Sequence, residues 1–237
     1  MMELMRNKYP YLYETHLHTF PGSSCAKVNV RDNLFLYREL GYDGVFITNH
    51  FLDAPGFNFS KDMPYVDQIE CYFRDYEEAV AIGKELGLKI FCGVESNYDG
   101  ADFLIYGLNK EWYLQHPEIM EMKRSEELAF LQKQGALVIH AHPFREAWTD
   151  HIHLFPRVVH GVEIINGGMS DAQNDMAKLY AEHYGLLAFA GSDNHSGDKH
   201  RVFAGMCSET PVMNETEFVE RLKSGMMQTF TFQRKRC

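Results

Sequence analysis

The stretch YLYETHLHT, residues 11–19, joins a β-rich run to two histidines. Residues 11–16 combine aromatic, aliphatic and β-branched side chains, a composition that favours an extended strand. In an extended chain, residues two apart lie on the same face, so His16 and His18 project to one side. Two imidazoles on one face are what two ligands of a single metal ion require.

Similar runs alternate with helical stretches along the rest of the chain. The other predicted strands lie at residues 44–48, 88–94, 103–108, 136–140, 161–165 and 186–190. Helices are predicted over residues 30–40, 66–86, 117–134, 170–184 and 218–222. This alternation predicts a mostly parallel sheet with helices on its outside, and the seven strand candidates fit an α/β barrel.

Composition narrows the class of protein. The chain has 237 residues, of which 45% are hydrophobic, so residues 1–237 are expected to bury one core and form a single domain. Its formal net charge of −10 disfavours binding to long nucleic acids, which needs a field of Lys and Arg. No stretch resembles a signal peptide or a membrane span, and the cysteines are scattered. We therefore expect a cytoplasmic protein with reduced thiols and no membrane partner.

Polar residues follow nearly every predicted strand, at the end where α/β barrels carry their functional sites. They are His16 and His18, Asn49 and His50, Glu95, Asn109, His140 and His142, and Asp193 and His195. Imidazole and carboxylate ligands suit Zn, Fe and Mn, and a carboxylate can bridge two such ions. The pattern therefore predicts a multinuclear, hydrolytic metal centre.

Six segments resemble the PHP family, which is named for polymerase and histidinol phosphatase domains. They are ETHLHT at 14–19, ITNH at 47–50, GVES at 93–96, IHAHPFR at 139–145, GVEIING at 161–167 and GSDNH at 191–195. The resemblance spans most of the chain and implies a distorted seven-stranded (β/α)7 TIM-like barrel that hydrolyses phosphate esters. It also implies two or three divalent metal ions, Zn, Mn or Fe, at the strand ends.

The resemblance further implies a set of metal ligands. For the first ion they are His16, His18, Glu95 and Asp193; for the second, Glu95 as a bridge and His142; for the third, His50 and His195. The sequence departs from the fullest family pattern at Ser24, Asn49 and Asn109, where other members can have histidine or acidic residues. Because neutral amides and hydroxyls are weaker ligands, at least one ion site is expected to be weak or filled partly by water.

Roles in catalysis follow from the same resemblance. Metal ions of this kind lower the pKa of a bound water to about 7. Asp193, His195 and His50 are expected to take part in catalysis, with a protonated histidine or metal-bound water supplying the proton for the leaving oxygen. Arg145 is placed to bind a phosphate or to form a surface salt bridge.

Three further polar residues are open to more than one interpretation. His140 is expected either in the core or behind a metal ligand, with direct ligation as the alternative. Glu163 and Asn166, at the end of the sixth predicted strand, are expected either to orient ligands or substrate or to hydrogen bond at the barrel rim.

We therefore predict hydrolysis of phosphate esters of a small molecule or nucleotide. The alternatives are a phosphoprotein phosphatase, an exonuclease for short oligonucleotides, an amidohydrolase-like barrel, and a catalytically degenerate module that binds metal. The loops expected to select the substrate, residues 53–65 and 145–159, carry no recognisable motif.

Overall fold

A computed structural model describes residues 7–98, 100–146 and 151–234. Within these ranges nine strands form one sheet. They are β1 (Tyr11–Leu17), β2 (Gly44–Ile47), β3 (Lys89–Tyr98), β4 (Ala101–Tyr106), β5 (Leu137–Ala141), β6 (Gly161–Asn166), β7 (Leu187–Gly191), β8 (Val202–Ser208) and β9 (Met227–Gln233). Their order across the sheet is β7-β6-β5-β4-β3-β2-β1-β8-β9.

The helices of the described ranges lie between the strands. They are α1 (Val30–Glu39), α2 (Tyr65–Leu86), α3 (Lys110–Gln115), α4 (Arg124–Lys133), α5 (Asp171–Tyr184) and α6 (Glu215–Lys223), with short 3-10 helices at Pro117–Glu121 and Gly197–Lys199. None of these helices is long and apolar enough to cross a membrane. The predicted helix over residues 117–134 is divided into a 3-10 turn and α4, and each other predicted helix overlaps an observed one.

Local signals set the ends of the long helices. Ser170 and Gln173 form a capping box at the start of α5. Helices α2 and α5 end at Gly87 and Gly185, whose φ angles of 65° and 66° lie in the left-handed region that glycine adopts readily. Because these signals are local, periodicity placed both helices within a residue or two of their observed bounds.

Strand β4 departs from the expected parallel order. Strands β1 to β3 are parallel, as are β5 to β7, but β4 is antiparallel to both β3 and β5. Only residues 99–100 separate β3 from β4, whereas a parallel crossover needs roughly a dozen residues or more. The expected direction of this strand is therefore wrong. Its amino end lies where the neighbouring strands have their carboxyl ends.

The prediction of seven strands is also wrong, because β8 and β9 extend the sheet beyond β1. Strand β1 pairs with β8, and β8 with β9, both antiparallel. Strand β8 is buried along nearly its whole length, so it lacks the alternation that reveals a strand with one exposed face. Strand β9, MQTFTFQ, has only two buried residues, Met227 and Phe230, three positions apart, so it too lacks the strict alternation of a half-buried strand.

A seam between the segment after edge strand β7 and the end of β1 nearly closes the barrel. Asp193 N donates to His16 O at 2.9 Å, and His18 N donates to Asn194 O at 3.3 Å. These bonds join the segment that follows β7 to the end of β1. The seam therefore places residues that are far apart in sequence next to one another at the carboxyl ends of the strands.

Buried aromatic rings fill the other end of the barrel. Phe46 stacks on Phe91 with ring centroids 4.7 Å apart and lies 4.5 Å from Phe218 of α6. Tyr106, the last residue of β4, packs edge-on against Phe46 at 5.1 Å and donates from its hydroxyl to Thr15 O at 2.6 Å. This packing leaves the carboxyl ends of the parallel strands as the end that carries polar groups.

His140 of β5 lies in the packed layer outside the sheet. Its ring stacks on Phe103 with centroids 5.1 Å apart and lies 6.0 Å from the ring of Tyr180 on α5. Neither ring nitrogen has a hydrogen-bond partner among the described residues. Burial, with a smaller contribution from His142, lowers the pKa of His140 to about 3. Of the roles expected for His140, the structure shows the one in the core.

We expect His140→Leu to make the fold less sensitive to acid. The buried ring is neutral when folded and takes up a proton on unfolding, so its contribution is fully present above about pH 6.5 and is lost as the pH falls toward 3. At about pH 5 the loss amounts to about 2 kcal/mol. Urea unfolding of metal-free protein at about pH 8 and about pH 5 measures the difference.

A matched control separates this effect from the loss of any histidine. His183, which is exposed on α5, is replaced by Leu and unfolded under the same conditions. If His140→Leu shows the same difference between the two pH values as the wild type, the buried ring is not the source of the acid sensitivity.

Candidate metal centre

The polar residues that follow the strands converge at one end of the barrel. The structure brings together the predicted metal ligands, which are His16, His18, His50, Glu95, His142, Asp193 and His195. Three further potential ligands, Asp102, Cys25 and Glu163, join the cluster. Most of these side chains are buried, so their polar atoms face one another rather than bulk water.

The first group of ligands is formed by β1, β3 and the segment after β7. His16 Nε2 lies 3.2 Å from His18 Nε2 and 3.2 Å from Glu95 Oε1. His18 Nε2 lies 3.1 Å from Glu95 Oε2. Asp193 Oδ1 lies 3.4 Å from His16 Nε2 and 3.5 Å from His18 Nε2. Ligand atoms about 2.1 Å from a tetrahedral ion stand about 3.4 Å apart, so these four side chains fit a metal ion as they stand.

The second group surrounds His142. Its Nε2 atom lies 3.2 Å from Glu95 Oε1, 3.8 Å from Asp102 Oδ2 and 3.8 Å from Asp193 Oδ2. Glu95 therefore faces both groups, which is the position a bridging carboxylate occupies between two ions. The group combines one imidazole with the carboxylates of Glu95 and Asp102, and the Asp193 carboxylate lies close to it. This composition suits harder ions such as Mn or Fe.

Asp102 is a ligand candidate that the sequence pattern missed. It is the second residue of β4, and the antiparallel direction of β4 brings it to this end of the barrel. Asn109, expected here, instead lies at the opposite end, where its side chain accepts a hydrogen bond from Trp112 N at 2.9 Å and caps α3. The group around His142 therefore contains a carboxylate rather than the weak amide ligand that was expected.

The third group consists of Cys25, His50 and His195, with His18 beside them. Cys25 is exposed as a residue, but its thiol is partly covered. This partial burial opposes ionisation of the thiol, and hydrogen bonds with His195 and His50 outweigh the effect and lower the pKa of Cys25 to about 6. Ser24, the position at which the resemblance placed a departure, is exposed. No signal in the sequence distinguishes Cys25, because its place in the cluster depends on how a turn folds back over β1.

Hydrogen bonds from residues behind the ligand candidates orient the imidazole rings of the first group. His16 Nδ1 lies 2.9 Å from Glu163 Oε1, and His18 Nδ1 lies 3.0 Å from Ser23 Oγ. Asn166 Nδ2 in turn donates to Glu163 Oε2 at 2.8 Å. Such partners fix the tautomer and leave Nε2 free to meet a metal ion. Glu163 and Asn166 therefore orient a ligand candidate, which is one of the two roles expected for them.

Asn49 supports the site from behind. Its Oδ1 atom accepts hydrogen bonds from Thr19 N at 2.8 Å and Ser23 Oγ at 3.0 Å. Its Nδ2 atom lies 2.9 Å from Thr19 Oγ1 and 3.2 Å from Oδ2 of Asp75, a buried residue of α2. An amide can donate and accept at once, as an ionised aspartate cannot, so the asparagine suits this network. Through Ser23 the network reaches His18.

We expect Glu163→Gln to weaken metal binding and hydrolysis by about 10- to 100-fold, the range for loss of an outer partner of a ligating histidine. The amide keeps the size of the side chain but loses the charge that supports His16. Competition against a chromophoric chelator measures metal affinity, and kcat/KM measures turnover. Glu182→Gln on the exposed face of α5 is the control. Unchanged affinity in Glu163→Gln would show that His16 needs no charged partner.

The backbone is strained where it presents two of the ligand candidates. His142 and Asp193 have positive φ angles of 24° and 53°, which are uncommon for residues other than glycine. Beside them, a Cβ atom at Gly191 would lie 2.4 Å from the Cβ of His16, so glycine permits the close approach of β7 to β1. Conformations of this kind cluster at functional sites, where the surrounding fold enforces them.

The histidines and carboxylates of the cluster shift one another's pKa values. Burial opposes protonation of His16, but neighbouring carboxylates, Asp193 foremost, outweigh it and raise its pKa well above the ordinary value. Burial also opposes ionisation of Glu95, but neighbouring histidines, His50 foremost, hold its pKa well below the ordinary value. A proton held by His16 competes with a cation for the same nitrogen, so metal binding should strengthen as the pH rises.

Arg145 lies at the edge of the second group. Its guanidinium donates a hydrogen bond to Asp102, and the side chain is 24% exposed. With His142, His151 and His153 it lines a small cavity beside the ligand candidates. Residues 147–150 of the loop expected to select the substrate lie outside the described residues.

No family model and no curated protein matches this sequence, but solved structures resemble the fold. A two-domain protein from Bacteroides vulgatus, assigned a PHP-like metal-dependent phosphoesterase, matches with a TM-score of 0.68 and 16% identity over 93% of this chain and 64% of that one. A protein from Bifidobacterium adolescentis, assigned as a metal-dependent phosphoesterase, matches with a TM-score of 0.54 and 15% identity over 79% of this chain and 88% of that one.

A third similar structure carries a different activity in its name. It is an amidohydrolase from Chromobacterium violaceum with bound sulfate and no metal, with a TM-score of 0.52 and 13% identity over 91% of this chain and 97% of that one. At these identities the likeness is one of fold. The chain has a nearly closed, barrel-like α/β sheet like that of PHP-like metal-dependent phosphoesterases, and the resemblance seen in the sequence is confirmed at that level.

Proposed function

We propose that this protein is a metal-dependent phosphoesterase that hydrolyses phosphate esters of a small molecule or nucleotide. The observation that carries the proposal is the first ligand group. In it His16 Nε2, His18 Nε2 and the Glu95 carboxylate lie within 3.2 Å of one another, and Asp193 Oδ1 lies within 3.5 Å of both histidine nitrogens. The second group shares Glu95 with the first, an arrangement suited to two ions acting on one phosphoryl group.

Each group of side chains has a distinct role in the proposal. His16, His18, Glu95 and Asp193 would hold one ion, and Glu95, Asp102 and His142 a second. When bound, Zn, Mn or Fe would supply a Lewis acid and a nucleophile formed from water at neutral pH. The strained backbone and the outer hydrogen bonds hold these ligands in place before substrate arrives, so little reorganisation is needed.

The remaining polar residues would handle the charge of the substrate. Arg145, held against Asp102, offers its other donors to a phosphoryl oxygen at the edge of the site. His50 and His195 lie on the far side of His18, with ring centroids 4.5 Å and 4.1 Å from it. There they would place positive charge against the leaving oxygen, as protonated imidazoles or as ligands of a third ion.

Amide hydrolysis is a second candidate function. The fold shared with the amidohydrolase from Chromobacterium violaceum favours it, because the fold by itself does not select the bond that is cleaved. The carboxylate-rich second group and the adjacent arginine favour the phosphoester, because a phosphoryl group carries more negative charge than an amide.

Turnover by protein stripped with chelator and reloaded separately with Mn, Zn and Fe tests the proposal. The substrates are an aryl phosphate monoester, an aryl phosphate diester and an aryl amide. We expect a phosphate ester to be cleaved only after reloading, and His16→Ala and Asp193→Ala to lose that activity while the surface variant His183→Ala keeps it. Cleavage of the amide alone would favour the second candidate. Failure to bind any metal would overturn the proposal.

A further inference from the structure

The third group of side chains differs from the other two in chemistry. It contains a thiol, Cys25, together with His18, His50 and His195, and one ligand atom from each lies within 4.8 Å of those of the others. The other groups combine histidines with carboxylates. Because sulfur is a softer ligand than oxygen, a site with one thiolate and imidazoles differs in metal preference from a carboxylate site.

His18 belongs to the first group rather than to this one. Its Nε2 atom lies 3.1 Å from Glu95 Oε2 and 3.2 Å from His16 Nε2, and its Nδ1 atom lies 3.0 Å from Ser23 Oγ. Each ring nitrogen can meet one partner in its plane, so His18 has none to spare. Cys25, His50 and His195 are therefore the protein ligands of the third group.

Backbone hydrogen bonds hold Cys25 against the segments that carry the two histidines. Ser24 N donates to Gly56 O at 2.8 Å, and Lys27 N donates to His195 O at 2.8 Å. The backbone of Gly56 packs closely against the His50 ring, since a Cβ atom at Gly56 would come 2.0 Å from His50 Cδ2. The turn around Cys25 is thus fastened to both neighbours.

A buried ring nitrogen of His50 without a hydrogen-bond partner points to a ligand at this place. His50 Nδ1 lies 2.9 Å from Glu95 Oε2, yet neither atom has a partner in hydrogen-bond geometry among the described residues. Glu95 is almost completely buried, so its oxygen has no access to bulk water. Buried polar atoms are nearly always satisfied, and a cation bound by His50 would satisfy its Nδ1 atom, whereas Glu95 Oε2 belongs to the first ligand group.

We infer that Cys25, as a thiolate, is a further ligand of the third ion that the resemblance assigns to His50 and His195, and that it gives this site a preference for zinc. Tetrahedral zinc accepts one thiolate and two imidazoles, and three protein ligands leave a fourth position for water or an oxygen of the substrate. Binding of zinc here does not depend on the proposed function. A role for that zinc in phosphoester hydrolysis does rest on it, because the third group adjoins the first group through His18. Cys25 then takes the place that the resemblance gave to a histidine or an acid near Ser24.

Cobalt titration of the metal-free 237-residue chain tests the inference, because a thiolate bound to Co2+ gives a charge-transfer absorption in the near ultraviolet that nitrogen and oxygen ligands do not. We expect this band in the wild type and in Cys71→Ala, a control that removes a thiol buried on α2, and not in Cys25→Ser. Zinc affinity at the third site should fall by at least about 100-fold in Cys25→Ser, since even an outer partner is worth 10- to 100-fold. The same band in Cys25→Ser would overturn the inference.

Alkylation of the wild type supplies a readout that needs no variant. Cys25 is exposed, so iodoacetamide should modify it in the metal-free protein, and saturating zinc should slow that reaction by at least about 10-fold. No protection of Cys25 would overturn the site. Both readouts are independent of turnover. A thiolate band without phosphoester hydrolysis would support the site and contradict the proposed function. Hydrolysis without the band would support the proposed function and contradict the site.

Discussion

Glu95→Gln should lower kcat/KM for phosphoester hydrolysis by about 1,000-fold or more, because one side chain serves both main ligand groups. Glu95 Oε1 lies 3.2 Å from both His16 Nε2 and His142 Nε2, and Oε2 lies 3.1 Å from His18 Nε2. Glutamine keeps the shape but has a single oxygen and no charge. The variant should also retain fewer metal ions per chain, as measured by mass spectrometry of the metals.

The matched control for this prediction is Glu85→Gln on the exposed end of α2, which makes the same chemical change away from the cluster. Wild-type metal content with nearly wild-type turnover in Glu95→Gln would mean that the two ions do not share this carboxylate. Retained metal with lost turnover would instead assign Glu95 to the chemistry rather than to metal affinity.

Arg124→Met should lower the free energy of unfolding by about 3 kcal/mol, the loss typical of a broken buried ion pair. The Arg124 guanidinium donates to Ser96 Oγ at 2.6 Å, to Asp53 Oδ2 at 2.6 Å and to Asn97 O at 2.7 Å, and lies 2.9 Å from Glu127 Oε2. It ties the start of the loop over residues 53–65 to the end of β3. Methionine fills the space but leaves two carboxylates without their cation.

Urea unfolding of the wild type and the variant measures this loss. Lys123→Met is the control, because Lys123 is the exposed neighbour of Arg124. Arg124→Lys should recover part of the stability, since it restores the charge but not the planar set of donors. A loss below about 1 kcal/mol in Arg124→Met would place this pair among ordinary surface ion pairs.

The sequence by itself determined the positions of most ligand candidates. His16 and His18 follow a strand with a spacing that puts them on one face, and GSDNH follows the last parallel strand, so both could be placed without knowledge of the rest of the fold. The bounds of α2 and α5 were predictable for the same reason: periodicity and glycine stops act within a few residues.

Tertiary structure alone decided which other residues join these ligand candidates at the metal centre. The reversal of β4 brought Asp102 to the site and took Asn109 to the opposite end, and the fold of a turn placed Cys25 beside His50 and His195. Strands β8 and β9 likewise joined the sheet through pairing with β1. Strand direction, pairing and turn placement depend on contacts between distant parts of the chain, which local pattern does not encode.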